Sequence, residues 1–232
     1  MTAFIIYKAI MCVGIFVLLL ASAAYATLWE RKFAAFLQDR KGPSRAGWGG
    51  LLQPLADGVK MFMKEEIIPN VSNRALFILG PSLFMVTAVI TSAVVPWAKP
   101  VIIGGQTYDL QITDINIGVI YLLGVASIGV YGIMIGGWSS NNKFALLGAV
   151  RASSQMISYE IPMGIALIAL IISSGGSLSL KTIVEGQDAG FANIIWQPLG
   201  FLIFFICALA ETNRAPFDLP ECETELVGGY HT

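Results

Sequence analysis

Long apolar runs separated by short polar stretches dominate the chain. Runs near 4–28, 75–97 and 117–138 are each long enough, at 1.5 Å of helical rise per residue, to cross a hydrocarbon core of roughly 30 Å. Two further runs, 161–172 and 194–210, are shorter. The first covers only about 18 Å of helix, so the span is expected to occupy 153–173, with Ser173-Ser174-Gly175-Gly176 stopping it on the far side. The second is expected to occupy 194–213. The fold class this predicts is all-α: a polytopic membrane helix bundle of about five transmembrane helices, forming a single membrane domain over 1–232 with polar loops at 29–74, 139–152 and 214–232.

Smaller elements follow from finer periodicities. Between 48 and 64 the residues Leu51, Leu52, Leu55, Val59 and Phe62 recur at spacings of three and four, while Gln53, Asp57, Lys60 and Lys64 fall elsewhere. That pattern predicts an amphipathic interfacial helix of four to five turns in the first loop, with Pro54 in its opening turns where a missing N–H costs least. Gly104-Gly105 between β-prone residues predicts a small hairpin within 101–112, and 178–185 reads as a short surface helix. Gly132, Gly136 and Ser22 are small residues that let helices approach closely.

Composition agrees with a membrane protein: 56% of residues are hydrophobic and 12% charged, against about 25% charged in an ordinary soluble domain. The formal net charge is −1, which provides no global field to steer a nucleic acid. Cys12, Cys207 and Cys222 lie far apart with His231 as the one histidine, so the spacing required for a protein-held zinc or iron-sulfur site is missing. The first run carries Lys8 behind Phe4, Ile5 and Ile6 and continues to about Leu28, which fits a full span better than a secretory signal.

Eleven of the 14 basic residues fall on one side of the expected spans: Arg31, Lys32, Arg40, Lys41, Arg45, Lys60, Lys64, Arg74, Lys143, Arg151 and Arg214. Lys8, Lys99 and Lys181 fall on the other. The positive-inside rule then puts the amino terminus outside and the basic loops in the cytoplasm. Taken alone, the basic cluster of the first loop is equally a set of lipid-headgroup contacts.

Carboxylates stand where lipid is expected. Starting a helix near Ser153 puts Glu160 about 10 Å inside the span. An ionised side chain at the centre of a span costs about 2.5–3.5 kcal/mol on insertion scales, so Glu160 is expected to face a polar interior, with Gln155, Ser158 and Tyr159 as nearby hydrogen-bonding groups. Glu211 and Arg214 stand three apart at the end of the fifth span, where Pro216 interrupts the helix. Asp218, Glu221, Glu223 and Glu225 then crowd into eight residues with no basic residue among them. Held in a poorly solvated place, such a group titrates as a coupled set and can store protons; in water it is an acidic loop and nothing more.

Three segments, 30–65 (ERKFAAFLQDRKGPSRAGWGGLLQPLADGVKMFMKE), 136–162 (GGWSSNNKFALLGAVRASSQMISYEIP) and 210–231 (AETNRAPFDLPECETELVGGYH), resemble those of the family of H subunits of proton-translocating NADH:quinone oxidoreductase, respiratory complex I. The resemblance implies a membrane protein beneath a peripheral arm that carries the flavin and iron-sulfur clusters, with small membrane subunits as neighbours. Quinone is the implied substrate, no redox cofactor is carried by the chain itself, and the implied location is the bacterial plasma membrane instead of the mitochondrial inner membrane. By motif match, Arg31, Arg40, Asp57 and Lys60 line the quinone path with Glu30 and Gln38 in support. Glu160, Glu211, Arg214, Asp218, Glu221, Glu223 and Glu225 connect it to the charged residues of the membrane arm. Family members have roughly three more spans, so the chain is expected to be truncated at its carboxyl end. Some relatives also carry an acidic residue in the third span, where 117–138 has none.

Other readings predict other features. A stand-alone ion-coupled transporter calls for inverted repeats and interrupted helices in matching positions, neither of which the sequence shows. A structural anchor for soluble subunits, or the corresponding component of a membrane-bound hydrogenase, fits the same loops.

Overall fold

The computed structural model describes residues 2–103, 105–188, 190–213, 217–218 and 229. The chain divides into two compact units, Met1–Ile67 and Ile68–Thr232.

In the first unit, α1 spans Thr2–Leu37. It runs well past the expected end at 28 because residues 29–37, WERKFAAFL, contain no Gly or Pro and include several strong helix formers. Glu30, Arg31 and Lys32 therefore stand on the helix and not in a loop. The helix stops where Asp39 turns left-handed at φ 50° ahead of Gly42-Pro43. A 3₁₀ turn, Trp48–Gly50, follows, and then α2, Gln53–Phe62. Gly47, Gly49 and Gly50 all adopt positive φ, so the amphipathic helix starts only after them and makes fewer than three turns instead of the expected four to five. Gly50 is needed there, since a side chain would collide with the Pro43 carbonyl. Pro54 sits in the first turn of α2, as its chemistry requires. No residue of α2 is buried, and Leu55, Val59 and Phe62 are exposed along one stripe. Ser22 is also exposed and donates to the Leu18 carbonyl at 2.7 Å, so it mediates no helix contact within this unit.

The second unit contains α3 (Arg74–Thr91), a two-stranded hairpin of β1 (Val101–Ile103) and β2 (Gln106–Tyr108), α4 (Gly118–Ser139), α5 (Lys143–Ser173), α6 (Leu180–Glu185), α7 (Asn193–Trp196) and α8 (Pro198–Glu211). β1 and β2 pair antiparallel with Val101 opposite Tyr108, and α6 begins where the Ser179 side chain accepts the Thr182 N–H; both elements match the sequence reading. α3 and α4 cross on glycines. A Cβ on Gly132 would lie 2.8 Å from the Gly80 carbonyl, and one on Gly80 would lie 2.9 Å from that of Gly132. Small residues at a helix crossing let the backbones meet and gain dispersion contacts where no hydrophobic effect is available.

α5 starts ten residues earlier than the 153–173 estimate. The Asn142 side chain caps it by accepting the Phe144 N–H at 3.0 Å, and Ala145, Ala149 and Ala152, all almost fully buried, carry the helix through the expected loop. Ala149 packs directly on Gly137 of α4. The fifth apolar run is interrupted: α7 ends at Gln197, whose φ −131° and ψ 63° reflect the steric restriction on a residue before proline. α8 is left with 14 residues, about 21 Å of helix, too short to cross alone. Among the described residues, four helices are long and apolar enough to span, namely α1, α3 with the 3₁₀ turn that follows it, α4 and α5, and α8 is a shorter apolar helix.

The core of this unit joins Val130 and Ile133 of α4, Ala149, Ala152, Met156, Tyr159 and Met163 of α5, and Cys207 and Ala210 of α8.

Candidate functional site

In the first unit, the end of α1 and the start of α2 assemble a polar group. Arg31 Nη1 donates to Asp57 Oδ2 at 2.7 Å and Gln53 Nε2 donates to Asp57 Oδ1 at 3.1 Å. Arg31 comes from α1, while Gln53 and Asp57 are one turn apart on α2, so a single carboxylate ties the two helices. The Gln53 amide, then the Arg31 guanidinium and the charge of Lys60, hold the Asp57 carboxyl below the usual carboxylate range. It is therefore ionised at neutral pH. The Arg31 and Asp57 side chains are 55% and 29% exposed, so the pair sets position more than it stabilises the fold. Lys32 Nζ donates to the Gly49 carbonyl, pinning the glycine turn to α1. Beyond the end of α1, Arg40 Nε donates to Gln38 Oε1 at 2.7 Å. Glu30 lies in the last part of α1. The structure thus joins Arg31, Asp57 and Lys60 in one cluster and Gln38 with Arg40 in another.

In the second unit the carboxylates meet in the interior. Tyr159 of α5 is 7% exposed, and its hydroxyl donates to Glu211 Oε2 of α8 at 2.7 Å. Glu160, the next residue, is half-buried and near enough to Glu211 for each charge to act on the other. The Ser127 hydroxyl of α4, which donates to the Leu123 carbonyl at 3.0 Å, is also within hydrogen-bonding reach of Glu160. Three helices therefore converge on two acidic side chains. Counted back from Ser173, Glu160 lies about 20 Å along α5, well inside a core of roughly 30 Å.

Beyond α8, Phe217 lies against the same helices. Gln155 Nε2 donates to the Phe217 carbonyl at 3.1 Å, and the Phe217 ring packs against the core of α4, α5 and α8. Asp218 follows directly, and its Oδ1 is buried with no hydrogen-bond partner among the described residues. Arg214, Glu221, Glu223 and Glu225 lie outside the described residues.

Sequence reasoning singled out Glu160 and Glu211 but not the partner that Glu211 bonds. Tyr159 and Gln155 stood only as general hydrogen-bond suppliers. Their partners, Glu211 and the Phe217 carbonyl, are 52 and 62 residues away. Ser158, the third supplier, turns away and donates to the Ser154 carbonyl on its own helix at 2.7 Å. Ser127 carried no signal, because a lone serine in an apolar span is ordinarily satisfied by its own helix. Gln53 could have been found, since Gln and Asp at i and i+4 on one helix are a known stabilising pair.

The chain matches the family model described as NADH dehydrogenase over residues 10–232. It is 62% identical over 229 residues to an H subunit of NADH-quinone oxidoreductase, numbered 1, from Cytophaga hutchinsonii, covering 99% of this chain and 67% of that protein. It is 60% identical over 231 residues to the NADH-quinone oxidoreductase H subunit of Flavobacterium johnsoniae, covering 100% of this chain and 66% of that one. A Geobacter metallireducens H subunit of NADH-quinone oxidoreductase, numbered 2, is 48% identical, with 99% of this chain and 69% of that protein covered. The chain spans about two thirds of the length of these curated relatives. By a match over nearly its whole length, the chain belongs to the NADH dehydrogenase family, alongside proteins named as the H subunits of NADH-quinone oxidoreductase.

Proposed function

We propose that the chain acts as the membrane component of a proton-pumping NADH:quinone oxidoreductase that contributes to the quinone chamber and couples quinone reduction to proton translocation. The observation that carries this reading is the convergence of Tyr159, Glu160, Glu211 and Ser127 from three helices inside the membrane-spanning unit. Acidic side chains in a membrane interior are costly, and two of them close together, one bonded to a tyrosine hydroxyl, are suited to holding and passing a proton.

In this reading the first unit binds the quinone. Arg31, Arg40 and Lys60 offer donors to its carbonyl oxygens, Asp57 fixes the direction of Arg31, and Glu30 and Gln38 support them. Electrons reach the quinone from flavin and iron-sulfur clusters held by partner subunits. Reduction takes up protons with those electrons and so changes the local charge. Asp218 and the acidic residues Glu221, Glu223 and Glu225, with Arg214 as their cationic neighbour, relay that change to Glu211 and Glu160. The Tyr159 hydroxyl, which donates to Glu211, orients that carboxyl for proton exchange with the nearby Glu160. The assembly belongs to the bacterial plasma membrane, with the amino terminus outside the cytoplasm and small membrane subunits beside it.

The test is a pair of substitutions, Glu160→Gln and Glu211→Gln, assayed in native membranes. NADH-driven quinone reduction or proton pumping falls in both, while NADH oxidation by a soluble ferricyanide acceptor is kept. Undiminished pumping in both variants overturns the reading.

A further inference from the structure

The interruption of the fifth apolar run leaves a cavity beside the carboxyl half of α5, with no acidic residue among the described residues that line it. It measures about 320 Å³ and lies between α4, α5, α6 and α8, with Leu122, Leu167, Leu170, Phe201 and Phe204 among its walls. That size falls at the lower end of small-molecule sites, roughly 300–1,000 Å³. Its origin is in the sequence: Pro198 starts α8 afresh, Gly200 places no side chain into the cavity, and Gln197 Nε2 clips the start of α8 to the Ala169 carbonyl at 2.9 Å.

A second cavity of about 490 Å³ adjoins it, sharing Ile183, Asn193 and Gln197 and lined by Ser173, Ser174, Thr182 and Trp196. This one sits where α5 ends and α6 and α7 begin, at the level expected for the membrane interface. Trp196 is 68% exposed and stands edge-on to Phe191 with ring centroids 6.2 Å apart, the placement that aromatic residues favour between hydrocarbon and water. The Ser174 hydroxyl oxygen is buried at this junction with no hydrogen-bond partner among the described residues. Among the described residues no charged side chain lines either cavity. The absence of a lining cation disfavours a soluble anionic ligand, and the absence of His, Cys, Asp and Glu disfavours a metal ion.

We infer that this joined pair of cavities is a phospholipid site, with an acyl chain in the slot between α4, α5 and α8 and the ester and phosphate oxygens in the hydroxyl- and amide-lined cleft of Ser174, Thr182 and Asn193. The apolar part matches a hydrocarbon chain and nothing polar. The adjoining part offers neutral donors at headgroup depth, which suits a zwitterionic headgroup. A lipid held there wedges α8 against α5 where α8 alone is too short to reach the interface, and so supports the helix that carries Glu211.

The test uses the protein within its purified membrane assembly, equilibrated with a phosphatidylethanolamine that bears a diazirine in its acyl chain, washed in detergent, photolysed and mapped by mass spectrometry. Adducts on Leu122, Leu170 and Phe204 persist through washing, whereas label on the exposed Tyr131 of α4 is lost. Gly200→Trp fills the slot and abolishes the persistent adducts, and Ser174→Ala, which leaves the apolar packing untouched, lowers their retention. Absence of persistent adducts at these positions overturns the inference, as does retention unchanged in both variants. Displacement by a short-chain quinone but not by unlabelled phosphatidylethanolamine also overturns it, in favour of a quinone site, and labelling that requires removal of a neighbouring helix assigns the groove to protein.

Discussion

Removing the Tyr159 hydroxyl isolates the contact on which the coupling proposal depends. In Tyr159→Phe the ring keeps its place among Met156, Met163, Cys207 and Ala210, so packing is conserved and only the 2.7 Å bond to Glu211 is lost. A hydrogen bond to a charged group contributes about 1.5–3 kcal/mol. At about 1.4 kcal/mol per factor of ten, losing it from the rate-limiting proton transfer alone slows that step by roughly 10- to 150-fold. Inverted membrane vesicles read this directly, as the initial rate of acidification driven by NADH and quinone, with ferricyanide reduction as the control for the peripheral subunits. A double-mutant cycle sharpens the result. Once Glu211→Gln has removed the carboxylate, Tyr159→Phe has little left to remove, so the double variant is no slower than the slower single one. Wild-type pumping in Tyr159→Phe, or additive losses in the cycle, refutes the reasoning and makes Tyr159 a packing residue.

Two other expectations come from the helix contacts. Asp57 has its folded pKa depressed, first by Gln53 and then by Arg31, so its contribution to the α1–α2 tie is present above the unfolded value of 3.8 and is lost only as pH falls through the lower folded value. Protection of the 41–52 turn against hydrogen exchange, taken relative to the intrinsic rate at each pH, is thus constant across neutral pH and falls in strong acid, and in Asp57→Asn it is lowered at neutral pH already. Gly132→Leu forces a side chain against the Gly80 carbonyl, where even a Cβ would stand 2.8 Å away, and overpacking of this kind costs about 1–3 kcal/mol or more. Its thermal midpoint falls, whereas Gly124→Ala, inside the same helix with nothing within 4 Å of the added carbon, does not lower the midpoint.

Apolar run length alone was enough to reveal α3, α4 and the membrane class, because crossing roughly 30 Å of hydrocarbon leaves a chain few alternatives to a continuous apolar helix. The hairpin within 101–112 and the short helix at 178–185 were legible for a similar reason: turn and cap chemistry acts over three or four residues. Helix ends were less legible. Charged residues such as Arg31 and Arg151 look like loop in a hydropathy reading, yet they are good helix formers, and nothing near them breaks α1 or α5. The break at Gln197-Pro198 went the other way, since an apolar run conceals a backbone discontinuity that only the restriction before proline reveals.

The two acidic residues were visible by their cost in an apolar run, but their association was not. Tyr159 reaches a partner 52 residues away, and which of Gln155, Ser158 and Tyr159 turns inward depends on the face of α5 that Gly137 and Ala149 press against α4. Local sequence determines what each segment can be, because propensity and hydration act residue by residue. Which side chains meet is decided by packing across helices, where backbone approach and the burial of polar atoms are settled together.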